Sequence, residues 1–213
     1  MPRSPSRRSP RSSWLSALRH AGATSPLVLL GFLALGFAGG LLLGGRPAAL
    51  GEVRFRWWAL ALGGLIFQLL LFSDPVADGV GSLGPFLYVG STLAVLMALV
   101  RNLGQPWFRL IALGATLNLL VIVANGGVMP ADPAALAAVG LLDREGAGFL
   151  NTAPLTGVPF ALLGDNWATP SWLPFANVVS VGDLLIGGGA AAWLVTVMRR
   201  GHGLPFAARG ALA

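Results

Sequence analysis

The chain has no cysteine and no lysine. Without cysteine there can be no disulfide, no thiolate metal site and no cysteine nucleophile. Without lysine a G-x-x-x-x-G-K phosphate loop cannot form. Histidine is scarce as well: His20 and His202 lie one in each tail, which excludes a His-rich metal centre. No histidine falls in an apolar run where it could ligate a haem. No metal and no other cofactor is therefore expected. Charge is the last scarcity. Only 10% of the residues are charged, against roughly 25% in a soluble domain. So few charges cannot cover the surface of a water-soluble fold.

Hydrophobic residues make up 55% of the 213, and the mean hydropathy is +0.74. Lipid must cover much of such a chain. The formal net charge is +6, carried entirely by arginine on the basic side. The arginines sit in the tails and in short loops beside apolar runs, where they serve anchoring and orientation. No recognition motif accompanies them, so nucleic acid is not an expected partner.

The expected fold is all-α: about five transmembrane helices with an ordered loop or cap between the fourth and fifth. Residues 1–25 are rich in Arg, Ser and Pro and read as a disordered tail, with a short interfacial helix around Trp14–His20. The spans are expected at 26–45, 57–73, 86–100, 106–124 and 175–198, followed by a tail over 201–213. In the first span Gly36/Gly40 and Gly40/Gly44 form GxxxG pairs that let two helices approach closely. Trp57 and Trp58 begin the second span as an aromatic belt. Arg46–Arg56 and Asp74–Pro85 read as connections. The stretch 125–174 is too long for a bare loop, and Phe149, Phe160, Trp167 and Trp172 give it the apolar content to order as a cap on the membrane face. Within it, Asp132–Pro133 is an N-cap and N1 pair for a short helix to about Leu142.

If the spans alternate, Arg46, Arg54, Arg56, Arg101, Arg109, Arg199 and Arg200 share one side. Asp74, Asp78, Asp132, Asp143, Glu145 and Asp165 share the other, with Arg144 among them. The positive-inside rule then places the C-terminus in the cytoplasm and the cap outside the inner (plasma) membrane. The N-terminal tail conflicts with this, because Arg3, Arg7, Arg8, Arg11 and Arg19 would be translocated. Three readings resolve the conflict: the tail is translocated despite its charge, the start codon lies downstream of Met1, or the first Gly-rich segment does not fully span.

Polar residues inside an apolar run are costly and mark a site or a helix contact. Asn125 ends the fourth span, with Asn118 two turns earlier. Asn177, Ser180 and Asp183, spaced by three, are expected on one face of the fifth span. Asp165 lies in the cap. These five, Asp183, Asp165, Asn125, Asn177 and Ser180, form the expected ligand-binding pocket under the cap, with Asp183 and Asp165 as the catalytic candidates. The competing expectation is structural: Asn177 and Ser180 cap the fifth helix, Asp183 favours its dipole, and Asn125–Gly126–Gly127 terminates the fourth. Gln68, Ser91 and Thr92 are the polar groups of the second and third spans.

The motifs N-G-G-V-M-P (125–130), L-G-D-N-W (163–167) and N-V-V-S-V-G-D-L-L-I-G-G-G (177–189) resemble those of an uncharacterised bacterial family of small multi-pass membrane proteins, over roughly residues 27–198. That resemblance implies an architecture and no activity. It also implies a start close to the first span. N-x-x-S-x-G-D-x-x-I is similar to the last-helix motif of lipoprotein signal peptidase, which implies paired aspartates activating a water. The Asn-to-Asp spacing differs from that family, and its Gly-Asn-Asp-Arg type motif is missing.

The leading expectation is a non-enzymatic membrane protein that binds a lipid-like ligand or a protein partner, the candidate partners being membrane lipid, another membrane protein or a second copy. The rivals are an intramembrane aspartate hydrolase using Asp183 and Asp165, and a small transporter. The transporter would need a polar path that the first three spans do not provide.

Overall fold

A computed structural model describes residues 25–142, 151–173 and 176–200. The tail before Ser25 with its expected Trp14–His20 helix, the loop residues Asp143, Arg144, Glu145 and Phe149, and the tail 201–213 lie outside the described residues.

The described chain is mostly helical. Its helices are α1 (Ser25–Leu42), α2 (Trp58–Leu71), α3 (Asp74–Val80), α4 (Gly84–Val100), α5 (Phe108–Ala124), α6 (Pro133–Ala138) and α7 (Val181–Met198). Four short strands belong to the cap: β1 (Met129–Ala131), β2 (Thr152–Pro154), β3 (Trp167–Ala168) and β4 (Val178–Val179). The stretch Pro75–Val100, 26 residues, and α7, 18 residues, are long and apolar enough to cross a bilayer. The apolar stretches Val28–Leu42, Trp58–Leu71 and Phe108–Ala124 are shorter.

Local chemistry explains where the elements depart from expectation. The connection after Arg46 winds into a 3-10 helix, Pro47–Glu52, with proline in its first turn. Ser73 and Pro75 start α3 inside the expected Asp74–Pro85 loop. In the cap helix α6, the Asp132 side chain accepts from Ala134 N at 3.0 Å, the expected N-cap bond. That helix stops at Ala138, well short of Leu142, because Gly140 turns left-handed at φ 71°. The last helix begins at Val181 rather than 175, since the β-branched pair Val178–Val179 forms β4 instead.

The long helices stand in a row. Packing contacts link α1 to α7, α7 to α5, α5 to α4 and α4 to α2. The Gly36/Gly40 pair is a real interface: a Cβ on Gly36 would sit 2.5 Å from Ala191 Cα, and one on Gly40 would sit 2.6 Å from the Met198 sulfur. Phe32 packs on Gly187 in the same way, so α1 and α7 run parallel. Gly114 lies against Gly182 and Gly189 against Ile111, so α5 runs antiparallel to α7. Small residues thus bring three backbones close. The outward faces are apolar: Leu35 is 71% exposed, Leu42 88% and Phe86 75%.

This packing sorts the charges by end. Arg46 N donates to Met198 O at 2.8 Å, and Asn102 ties its loop to Arg56. Arg46, Arg54, Arg56, Arg101, Arg109, Arg199 and Arg200 therefore gather at one end of the helix row. Asp78, Asp132, Asp165 and Asp183 lie at the other, the last three under or within the cap.

Candidate functional site

The cap is built on the end of α5. Val121, Ile122 and Met129 are buried together, with Tyr88, Val89 and Leu163 against them. Parallel pairing of β1 with β2 sets Met129 beside Thr152 and Ala131 beside Pro154. On its other edge β1 holds the Asp165 backbone: Asp165 N donates to Pro130 O at 2.9 Å, and Asp165 O accepts from Asp132 N at 3.1 Å. Gly164 permits this approach, because a Cβ there would collide with the Pro130 carbonyl. Two of the sequence motifs, N-G-G-V-M-P and L-G-D-N-W, thus meet through backbone bonds around a single bridge between Ala131 and Asp165.

The third motif supplies the opposite wall. Ser180 is the N-cap of α7 and Asp183 its third residue, and together they form a capping box. Asp183 N donates to Ser180 Oγ at 3.0 Å, and Ser180 N donates to Asp183 Oδ2 at 3.1 Å. The α5 residue Asn118 closes the ring. Its Nδ2 donates to Asp183 Oδ1 at 2.8 Å, and its Oδ1 accepts from Ser180 Oγ at 2.9 Å. Both Asp183 oxygens are therefore acceptors. Gly182 makes room for the Asn118 amide, which a Cβ at that position would strike.

Between the walls lies a cavity of about 20 Å³. Its polar lining is Tyr88, Asn118, Asn151, Thr152, Asp165 and Asp183, with Ile122 and Met129 as apolar sides. That volume suits a single water, which such a lining can hold by several hydrogen bonds. It is far below the roughly 300–1,000 Å³ of a site that encloses a drug-sized ligand. Asn118, Asn151, Thr152 and Asp183 are only part-buried, so the cavity is not sealed.

The two carboxyls sit in unlike surroundings. Asp165 is 6% exposed and accepts one side-chain hydrogen bond, from Thr152 Oγ1 at 3.1 Å. Burial first, and then the charge of Asp183, push the Asp165 carboxyl well above the usual carboxylate range, with the Thr152 bond opposing. Asp165 is thus held toward the protonated form beside an acceptor carboxylate. Tyr88 faces the same space, hydrogen-bonded to the Asn151 side chain and set edge-on to Phe72 with centroids 5.1 Å apart.

Of the five residues expected to converge, Asp165 and Asp183 line the cavity and Ser180 binds Asp183 directly. Asn125 and Asn177 do not line it. Asn125 closes α5, donating to Val121 O at 2.8 Å and to Pro159 O at 3.0 Å. Asn177 precedes β4 and shares no helix face with Ser180 and Asp183; its backbone exchanges bonds of 2.7 Å with Thr169. The pocket expected from the sequence did not include Tyr88, Asn118, Asn151 or Thr152, although Tyr88 is an ionisable group and Asn118 stands out as an amide in an apolar run. A signal for Asn118 existed. The segments W-W-A-L-A-L-G (57–63) and W-F-R-L-I-A-L-G (107–114) are alike, and each leads to an amide within an apolar helix, Gln68 or Asn118. Trp57 and Trp107 take the same left-handed N-cap conformation, φ 59° and 66°. Gln68 donates to Ser91 and Thr92 on α4 at 3.2 and 3.1 Å, just as Asn118 bridges to α7. Asn151 and Thr152 carried no signal of that kind.

No curated protein and no solved structure matches the chain. The family match begins at residue 52, so α1 lies outside it, although the motif resemblance extends to residue 27. Residues 52–195, which hold every residue lining the cavity, match the model of a family of unknown function, DUF5317, and the chain belongs to that family.

Proposed function

We propose that the chain is a five-span protein of the bacterial inner membrane, with its arginine end in the cytoplasm and its cap outside. We also propose that the cavity under the cap is an acid–base centre for hydrolysis. Support for the membrane reading comes from the exposed apolar helix faces and from the sorting of arginine and aspartate to opposite ends. The observation that carries the second reading is a pair of carboxyls with unlike surroundings on one water-sized cavity. Such pairs divide acid and base roles between them.

In this reading a water sits between the carboxyls. Asp183 takes its proton while the water oxygen bonds to a carbonyl carbon of an ester or amide presented at the cavity mouth. The Asp165 carboxyl hydrogen-bonds the carbonyl oxygen and then protonates the leaving oxygen or nitrogen as its bond to carbon breaks. Asn118 and Ser180 hold Asp183 in place, and Thr152 holds Asp165. With only about 20 Å³ inside, the substrate stays outside the cavity and offers one bond to it.

A second reading, binding of a lipid-like ligand or protein partner without chemistry, is favoured by the cap's exposed aromatic surface: Phe160 is 49% exposed, Trp167 45% and Trp172 79%. One experiment separates the two. In a host deleted for the gene, full-length wild type, Asp183→Asn and Asp165→Asn are expressed to equal folded levels, and membrane lipids and peptides are compared by mass spectrometry. Hydrolysis requires the same uncleaved species to accumulate in the deletion strain and in both variants. If either variant restores the wild-type profile, the carboxyl pair is not the working centre.

A further inference from the structure

The end of the molecule opposite the cap carries a site of its own. Asn102 is 4% exposed and clasps two connections together. Its Oδ1 accepts from Arg56 N at 2.8 Å, and its Nδ2 donates to Arg56 O at 2.6 Å and to Ala98 O at 2.7 Å. Gln105 Nε2 reaches Arg54 O at 3.5 Å across the same gap. The clasp fixes the α2 entry against the α4 exit, and so brings Arg54, Arg56 and Arg101 to one place. All three are exposed. The connections at this end, 43–57 and 101–107, contain a single carboxylate, Glu52.

Around the arginines stand exposed tryptophans: Trp57 is 51% exposed, Trp58 62% and Trp107 48%. Tryptophan settles at the boundary between acyl chains and headgroups, so the guanidinium groups next to them fall at the level of lipid phosphate. Guanidinium presents a planar fork of donors that matches phosphate oxygens in pairs.

We propose that the Asn102 clasp presents Arg54, Arg56 and Arg101 as a docking site for the phosphate of an anionic phospholipid in the leaflet on the arginine side. The proposal rests on the membrane reading above and is independent of the hydrolytic one. Arg199 and Arg200, at the same end but beyond α7, serve as a control for the loss of positive charge at that end.

The full chain is placed in nanodiscs of phosphatidylcholine, with and without phosphatidylglycerol. Thermal unfolding and the lipids retained in native mass spectrometry are then read for wild type, Arg54→Gln/Arg56→Gln/Arg101→Gln and Arg199→Gln/Arg200→Gln. The wild type should unfold several degrees higher with phosphatidylglycerol and retain it selectively, as ligand linkage requires. The triple variant should lose both effects and the control should keep them. If the triple variant fails to insert, Arg54→Lys/Arg56→Lys/Arg101→Lys keeps the charge and should weaken retention. Unchanged retention in that lysine variant would overturn the proposal. So would a wild type without lipid preference, or a preference that survives the triple glutamine change or vanishes only in the control. An equal shift from inorganic phosphate in phosphatidylcholine discs would assign the site to free phosphate and overturn the lipid. A chain that stays in the membrane after alkaline carbonate washing and yet shows no preference defeats this proposal alone; one that washes off defeats the membrane reading.

Discussion

Replacing Asp165 by Asn removes a titrating proton while keeping the shape of the side chain. The carboxyl is buried, close to the charge of Asp183, and raised well above its ordinary value of 3.8. Between that value and the raised one, the folded chain holds a proton that the unfolded chain has released. Stability from this group is therefore fully present below about pH 3.8 and declines as pH rises through the window, levelling off above the raised value. The amide of Asn carries no charge to desolvate, and its Oδ1 can still accept from Thr152. Asp165→Asn should thus equal the wild type below about pH 3.8 and exceed it by a growing margin as pH rises above that. The excess is about 1.4 kcal/mol for every tenfold by which folding tightens the hold on the Asp165 proton. In a chain of this size each kcal/mol moves Tm by about 2–4 °C. The assay is thermal unfolding of the two proteins in the same detergent from below about pH 3.8 to alkaline pH. A difference that does not vary with pH, or an Asn variant less stable than wild type at neutral pH, would refute the assignment of Asp165 as a buried, proton-holding acid.

Two further substitutions probe the frame around the site. Gly182→Ala drives a methyl into the Asn118 amide; it should cost about 1–3 kcal/mol and release Asp183 from its 2.8 Å bond, whereas Gly188→Ala, with open space around it inside the same helix, should raise Tm slightly. Gly36→Ala meets the Ala191 backbone at 2.5 Å and should separate α1 from α7 at a similar cost, while Gly31→Ala, which meets nothing, should hold or slightly raise Tm in the same thermal assay.

How much of this was legible depends on the range of each interaction. Helix positions follow from runs of apolar residues, which is local information, and α2, α4 and α5 begin and end within a few residues of the expected limits. The start of α7 was misplaced because hydropathy counts Val178 and Val179 as span residues, while their pairing with Trp167 and Ala168 makes them strand. The same error put Asn177 on a helical face it does not share. Asp165 and Asp183 were visible as carboxyls in or near apolar runs. Nothing local tells that Thr152 will meet Asp165, because that contact is set by the parallel pairing of β1 and β2 across a connection of some twenty residues. Asn118 stood two turns from Asn125 and drew attention as its neighbour. The structure instead turns Asn125 to the cap and Asn118 to α7, since the chain leaves helical geometry at Gly126 and Gly127, φ 70° and 92°.

The two aspartates are not equally easy to explain as scaffolding. Asp183 has a sufficient structural reason to be acidic: it completes a capping box in the first turn of α7, where a negative charge favours the helix dipole. Asp165 has none. The contacts that build the cap at that position are made by its backbone, which bridges Pro130 O and Asp132 N, and any residue with a backbone N–H could make them. Its side chain satisfies one hydroxyl, Thr152, and an asparagine would do so without the penalty of a buried acid next to a second carboxylate. The family of packing and capping explanations therefore accounts for the geometry of the site but not for the chemical identity of Asp165. A proton held at that position, facing Asp183 across a space that fits one water, is what the acid supplies and the amide would not.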